Sequence, residues 1–206
     1  MFGTQDLVLF MVSGILLNLT PGQDSLYIVG RSVSQGQRAG FLSVLGIVSG
    51  CAVHTVAAAF GLSALLATSA HAFTVVKAAG AVYLGYLGIR MMFDRVEGTV
   101  ADFVHESDWA IFRAGLLTNL LNPKVALFFL AFLPQFVAPD APSRILAFLF
   151  LGGVFIFNGT IWCAILVWCA SAISRRFRQR GSSGLILKKA TGALFVGLGL
   201  RLAVSE

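Results

Sequence analysis

The chain has 206 residues, of which 57% are hydrophobic and only 12% charged. A mean hydropathy of +0.86 excludes an ordinary soluble domain, in which about 25% of residues are charged. The formal net charge of +6 does not point to nucleic acid, because the basic residues gather between apolar runs as membrane topology requires.

Apolar runs longer than about 18 residues, without strand-length alternation, argue against a β-barrel and predict an all-α integral membrane protein. Six spans are expected, at about Leu7–Val29, Phe41–Leu66, Phe73–Phe93, Ile111–Val137, Ile145–Ile173 and Leu185–Val204. The N-terminus has no basic stretch ahead of its first apolar run, so that run reads as a span and not as a cleaved signal. Span one is interrupted by Asn18-Leu-Thr-Pro21-Gly22-Gln-Asp24, and span four by Asn119-Leu-Leu-Asn122-Pro123-Lys124. A lysine at the centre of a membrane helix costs at least about 2.5–3.5 kcal/mol on insertion scales, so these two breaks are the first candidates for function.

The connections set an orientation. Arg31 and Arg38 fall between spans one and two, and Arg90, Arg95 and Arg113 between or beside spans three and four. Arg175, Arg176, Arg178, Arg180, Lys188 and Lys189 fall between spans five and six, which makes eleven of the fifteen basic residues on one side. That side is expected to be cytoplasmic, which puts both termini in the periplasm. Asp94 to Trp109 is the one long polar connection, readable as a surface helix or as a solvated linker. Cys51, Cys163 and Cys169 lie in apolar runs without CxxC spacing and read as small apolar residues.

An internal repeat runs through the chain. Lys77-Ala-Ala-Gly-Ala-Val-Tyr-Leu-Gly matches Lys189-Ala-Thr-Gly-Ala-Leu-Phe-Val-Gly, and Gly14 to Pro21 matches Gly115 to Pro123 with one insertion. Leu45-Gly46 pairs likewise with Leu151-Gly152. Three spans per copy is an odd number, so the copies must enter the membrane from opposite sides, as in many secondary transporters. The expected architecture is one transmembrane domain, residues 1–206. It consists of repeat one (about 1–93), a cytoplasmic linker (about 94–110) and repeat two (about 111–206). The bland alternative is that Gly and Ala recur in any membrane helix because small residues let helices pack.

Proline has no amide hydrogen, so Pro21 and Pro123 free backbone carbonyls inside the membrane, and each needs another partner. The half-helix after each break presents amide hydrogens suited to a carboxylate, and the carbonyl end before it suits a cation. Gly22 is expected to relax the backbone. Asp24 follows the first break and Lys124 the second; together they can hold a zwitterion or neutralise each other. Asn18, Pro21, Gly22, Asp24, Asn119, Asn122, Pro123 and Lys124 are therefore the candidate substrate-binding residues. Asp24 and His54 are the candidates for proton coupling, although a local hydrogen bond would also explain His54. Trp109, Trp162 and Trp168 read as packing or interface anchors.

At these residues the sequence resembles the LysE/RhtB family of bacterial inner-membrane amino-acid exporters. The matching stretches are Pro21-Gly22-Gln23-Asp24, Gly36 to Gly40, His54, Gly61 to Leu66, and above all Gly115 to Phe136. The departure is Gln23, where the family usually has a second proline. The resemblance implies the inverted-repeat fold and proton-driven export of an amino acid or related small metabolite from the bacterial inner membrane. A membrane-embedded enzyme and a metal-ion exporter are the alternatives. No HExxH, GxSxG or phosphate-loop motif supports the first, and three scattered histidines do not supply a metal cluster for the second. No cofactor, metal or nucleic acid is expected. The partners are the substrate, the lipid bilayer and, through the GxxxG spacing of Gly46 and Gly50, a homodimer.

Overall fold

The computed structural model describes residues 2–64 and 105–179, with the backbone alone for 175–179. Spans three and six lie outside the described residues. So do the Lys77 and Lys189 repeat stretches, Arg90, Arg95 and most of the Asp94–Trp109 connection.

Span one is two helices, α1 (Leu7–Leu19) and α2 (Gln23–Gln35), bent by 52°. Span two is α3 (Gln37–Ala57), which continues through a π-helical turn to Leu62. Span four is again broken: α4 (Asp108–Leu120) meets α5 (Pro123–Leu127) at a 48° bend. After α5 the chain runs on through a π turn and a 3-10 turn to Phe136. Span five is α6 (Arg144–Gln179), whose apolar part covers Arg144–Ser174. The two predicted breaks are therefore present, within a residue or two of where the polar residues put them.

The local chemistry explains the second break. Asn122 caps α5 by accepting the Lys124 amide at 3.0 Å on its side-chain oxygen, and Pro123 takes the first helical position, where its missing N–H does no harm. The α4 helix starts at an ordinary cap, with Ser107 accepting from the Ala110 amide.

Glycines set the spacing between helices. A Cβ on Gly46 would run into the backbone of α4 at Phe112 and Leu116, and one on Gly115 would meet the Ser43 carbonyl of α3 at 2.8 Å. The α3 and α4 backbones thus touch directly. Gly50 faces Asn119 in the same seam, so the GxxxG spacing is used inside the chain and is not available for a dimer. Above the seam, Phe10, Phe128, Phe129, Phe148 and Phe155 form the main buried cluster with Leu133 and Leu151.

One expectation changes at the end of α2. No loop carries Arg31 and Arg38; Gly36 alone joins α2 to α3, with φ +89°, a conformation that favours glycine. Arg31 is buried in α2, pairs with Glu106 at 2.7 Å, donates to Gln35 at 2.6 Å and lies over the Tyr27 ring. Gln35 in turn donates to the Glu106 carbonyl, and Arg38 pairs with Asp108. At the opposite end, residues 3–5 are stitched to 136–138. A Thr4–Val137 bridge is flanked by Gln5 N–H to Phe136 O at 2.9 Å and Ala138 N–H to Gly3 O at 2.8 Å.

Candidate functional site

The carbonyls freed by the two prolines define the site. In a continuous helix the amide of residue 21 would bond to Leu17 O, and that of residue 123 to Asn119 O. Proline removes both donors. Lys124 Nζ replaces the first, donating to Leu17 O and to Thr20 O at 3.1 Å each. At the second break Asn119 O accepts the Asn122 amide at 3.0 Å and lies 3.4 Å from His54 Nε2. A carbonyl only accepts, so His54 carries its proton on Nε2 to make that bond. Each break is thus closed by a titratable side chain from elsewhere: the first by Lys124 of the second break, the second by His54 of α3. His54 also stacks on Phe129, ring centroids 5.7 Å apart.

Gly22 has extended backbone angles, φ −160° and ψ −176°, open to any residue. Its value is space and not the conformational freedom expected of it. A Cβ there would sit 3.1 Å from Lys124 Nζ, a tight contact that the ammonium would have to ease by a few tenths of an ångström.

Asp24 lies in the first turn of α2, where the partial positive charge of the helix end favours a carboxylate. Asn119 Nδ2 donates to its Oδ2 at 2.8 Å. Its Oδ1 is buried with no hydrogen-bond partner among the described residues, as are Asn18 Nδ2, Asn119 Oδ1, Asn122 Nδ2 and Trp162 Nε1. Buried polar atoms are seldom left unpaired, and these gather at the two helix breaks and the cavity beside them.

Asp24, Asn18 and Lys124 line one cavity of about 40 Å³ together with Trp162, Thr160 and Cys163 of α6. The rest of its wall is Leu17, Ile47, Val48, Val125, Phe155 and Ile156, with the hydroxyl of Ser25, the thiol of Cys51 and Gly159. No direct ion pair joins Asp24 to Lys124 among the described residues. Asn119, Asn122 and Pro123 shape the second break without lining the cavity, and His54 stands behind Asn119. Sequence reasoning missed Trp162, Thr160 and the two thiols Cys51 and Cys163 that face the cavity. The polar triplet Asn158-Gly-Thr160 in mid-span was the signal available for them. Cys169, expected to be buried, is exposed. No group of three or more His, Cys, Asp or Glu side chains among the described residues is placed to hold a metal ion.

The sequence profile of LysE type translocators matches residues 15–206. The chain belongs to that family. Members of it are transporters and not enzymes, and this translocator is accordingly a membrane protein. It is 31% identical over 209 aligned positions to an uncharacterized membrane protein of Pseudomonas aeruginosa, covering 98% of this chain and 97% of the relative. An uncharacterized membrane protein of Vibrio cholerae is 32% identical, with 96% of each chain covered. The leucine efflux protein of Salmonella typhimurium is 28% identical across 100% of this translocator and 98% of its own length. No solved structure matches the chain.

Proposed function

We propose that this translocator is a secondary-active exporter of a zwitterionic amino acid with an apolar side chain, coupled to the proton gradient across a bacterial inner membrane. The observation that carries the reading is the cavity between the two broken spans. It holds one carboxylate and one ammonium, Asp24 and Lys124, beside a wall that is apolar over Leu17, Ile47, Val48, Val125, Phe155 and Ile156 and polar at Asn18, Ser25 and Thr160. A zwitterion matches the charges and a branched or aliphatic side chain matches the apolar part of the wall. The relatives named as leucine efflux proteins make leucine the first substrate to test.

In this reading Asp24 receives the substrate's ammonium. The substrate's carboxylate turns towards Lys124 and the N-terminus of α2, which no side chain caps. A cavity of about 40 Å³ holds water-sized occupants, since one water needs about 10–15 Å³ of such space. Loading therefore requires the two broken spans to part, and the bends at 20–22 and 121–122 are the joints. Asp24 and His54 are the proton-coupling groups of this reading, and both touch Asn119: its side-chain amide donates to Asp24 and its backbone carbonyl lies 3.4 Å from His54 Nε2. The architecture is one domain of two inverted three-helix repeats, with both termini periplasmic; the matching bends of 52° and 48° support it. Cysteine labelling tests the orientation: a cysteine placed at Gly181 reacts from the cytoplasmic side only.

Counterflow in proteoliposomes tests the function. Labelled leucine is expected to accumulate against an imposed pH gradient and to equilibrate when the gradient is dissipated. Accumulation of no neutral amino acid by folded protein would overturn the reading.

A further inference from the structure

We propose that the C-terminal end of α1 is a binding site for an ammonium group, and that in this conformation Lys124 fills it as a tethered stand-in. The inference rests on the carrier reading above and adds to it the backbone partner of the substrate's amino group.

The site is built for an ammonium. Leu17 O has lost its helical donor to Pro21, and Thr20 O lies in the same final turn, where the helix carries partial negative charge. Both oxygens are 3.1 Å from Lys124 Nζ. Gly22 leaves room for the nitrogen where any side chain would crowd it. An ammonium has three donors, and the two carbonyls use two. The buried Oδ1 of Asp24 has no hydrogen-bond partner among the described residues, and Asp24 lines the cavity together with Lys124 and Leu17. Two carbonyls and a nearby carboxylate form a cation site, and the cation found in it is an ammonium on a flexible stem.

Lys124 and a substrate amino group cannot occupy these carbonyls together. Binding is then an exchange of like for like. The substrate's ammonium takes Leu17 O and Thr20 O, and the released Lys124 becomes available to the substrate's carboxylate. One cation leaves the cradle as another enters, so the carbonyls and Asp24 are never left facing apolar surroundings without a positive charge. The empty carrier is held together by the same bonds that the loaded carrier gives to its substrate.

The test uses the full-length protein purified in detergent, with methylammonium as the probe and equal potassium chloride as the control. Methylammonium is expected to raise the thermal unfolding midpoint of Lys124→Ala, whose cradle is open. It should leave wild type and Lys124→Met unmoved, because in both the cradle region is filled. No shift in Lys124→Ala, or equal shifts in all three, would overturn the site. A second reading separates a shared site from a mere strut. In Lys124→Ala, methylammonium is expected to raise the Kd for leucine in proportion to its concentration; an unchanged or lowered Kd overturns the exchange. Should Lys124→Ala not fold, wild type decides. Isoamylamine, which is leucine without its carboxylate, is expected to inhibit leucine flux competitively while isovalerate does not, and the reverse order overturns the proposal. The methylammonium shift involves no amino acid, so it stands or fails apart from the carrier function.

Discussion

At the scale of the residue, Asp24 and His54 each make a distinct claim. Asp24 borders the cavity and is held by Asn119 through Oδ2, and in the carrier reading it receives the substrate's ammonium. Asp24→Asn keeps the size and loses the charge. A buried charge pair broken on one side costs about 2–5 kcal/mol, so export is expected to fall at least about 30-fold with unchanged protein in the membrane. Wild-type flux in the variant would remove Asp24 from the site. His54 supplies a donor to Asn119 O, which already accepts the Asn122 amide. His54→Ala is therefore expected to cost only about 0.5–1.5 kcal/mol of stability, and His54→Gln to recover it. The flux of His54→Gln should lose the pH dependence of wild type, and an unaltered pH profile would exclude His54 from coupling. The breaks, Asp24 and Lys124 were legible in the sequence because a polar residue is expensive in hydrocarbon and so announces itself. Trp162 was not, because its ring reads as apolar while its one polar atom, Nε1, is buried without a partner beside the cavity. Nor was the partner of Lys124, since the carbonyl it bonds lies 107 residues earlier and no local pattern connects the two.

At the scale of the element, the seam between α3 and α4 fixes where the second break sits. Gly46 meets α4 backbone, which cannot yield as a flexible side chain can. Gly46→Val is expected to lower stability by about 1–3 kcal/mol or more, the usual range for overpacking a tight contact. Gly153 of α6 is exposed with open space beside it, so Gly153→Ala is expected to raise stability by up to about 1 kcal/mol through helix propensity. Thermal unfolding of the two variants side by side checks the opposite signs. Helix positions were readable from hydropathy, but helix ends were less so. The first span was expected to stop near Val29, yet α2 runs to Gln35. Arg31 looked like a loop residue because an arginine normally ends a span. Here Glu106, Gln35 and Tyr27 together let the helix bury it.

At the scale of the whole molecule, two sets of contacts close the bundle at its opposite ends. One is the Arg31–Glu106 pair with its neighbours, and the other is the stitch between residues 3–5 and 136–138. Under the proposed carrier function one end opens at a time, and the polar pair is then a clasp that parts in one half of the cycle. Glu106 is 39% exposed and Arg31 only 4% by side chain, so the coupling is discounted for solvent on the glutamate side. A double-mutant cycle with Arg31→Met and Glu106→Gln is expected to give about 1–2 kcal/mol, within the range for residues in contact. A value near zero would leave the pair with no part in closure. The pair of broken spans was legible in the matching prolines and their polar neighbours. The closures at opposite ends of the bundle were not, because clasp and stitch both join segments far apart in the chain.

The bond from Lys124 to Leu17 O also has a meaning in time. A chain growing at about 5–20 residues per second needs roughly 5–20 seconds to add the 107 residues that separate the two. For that interval the first broken span stands in the bilayer with its freed carbonyl uncapped. Its partner must be water or the insertion machinery until the fourth span arrives. A nascent chain halted before Lys124 should therefore hold its first span shallowly, slipping towards the interface, and one halted well past Phe136 should hold it at full depth. Birth order, and not only final geometry, gives the lysine its place in this protein.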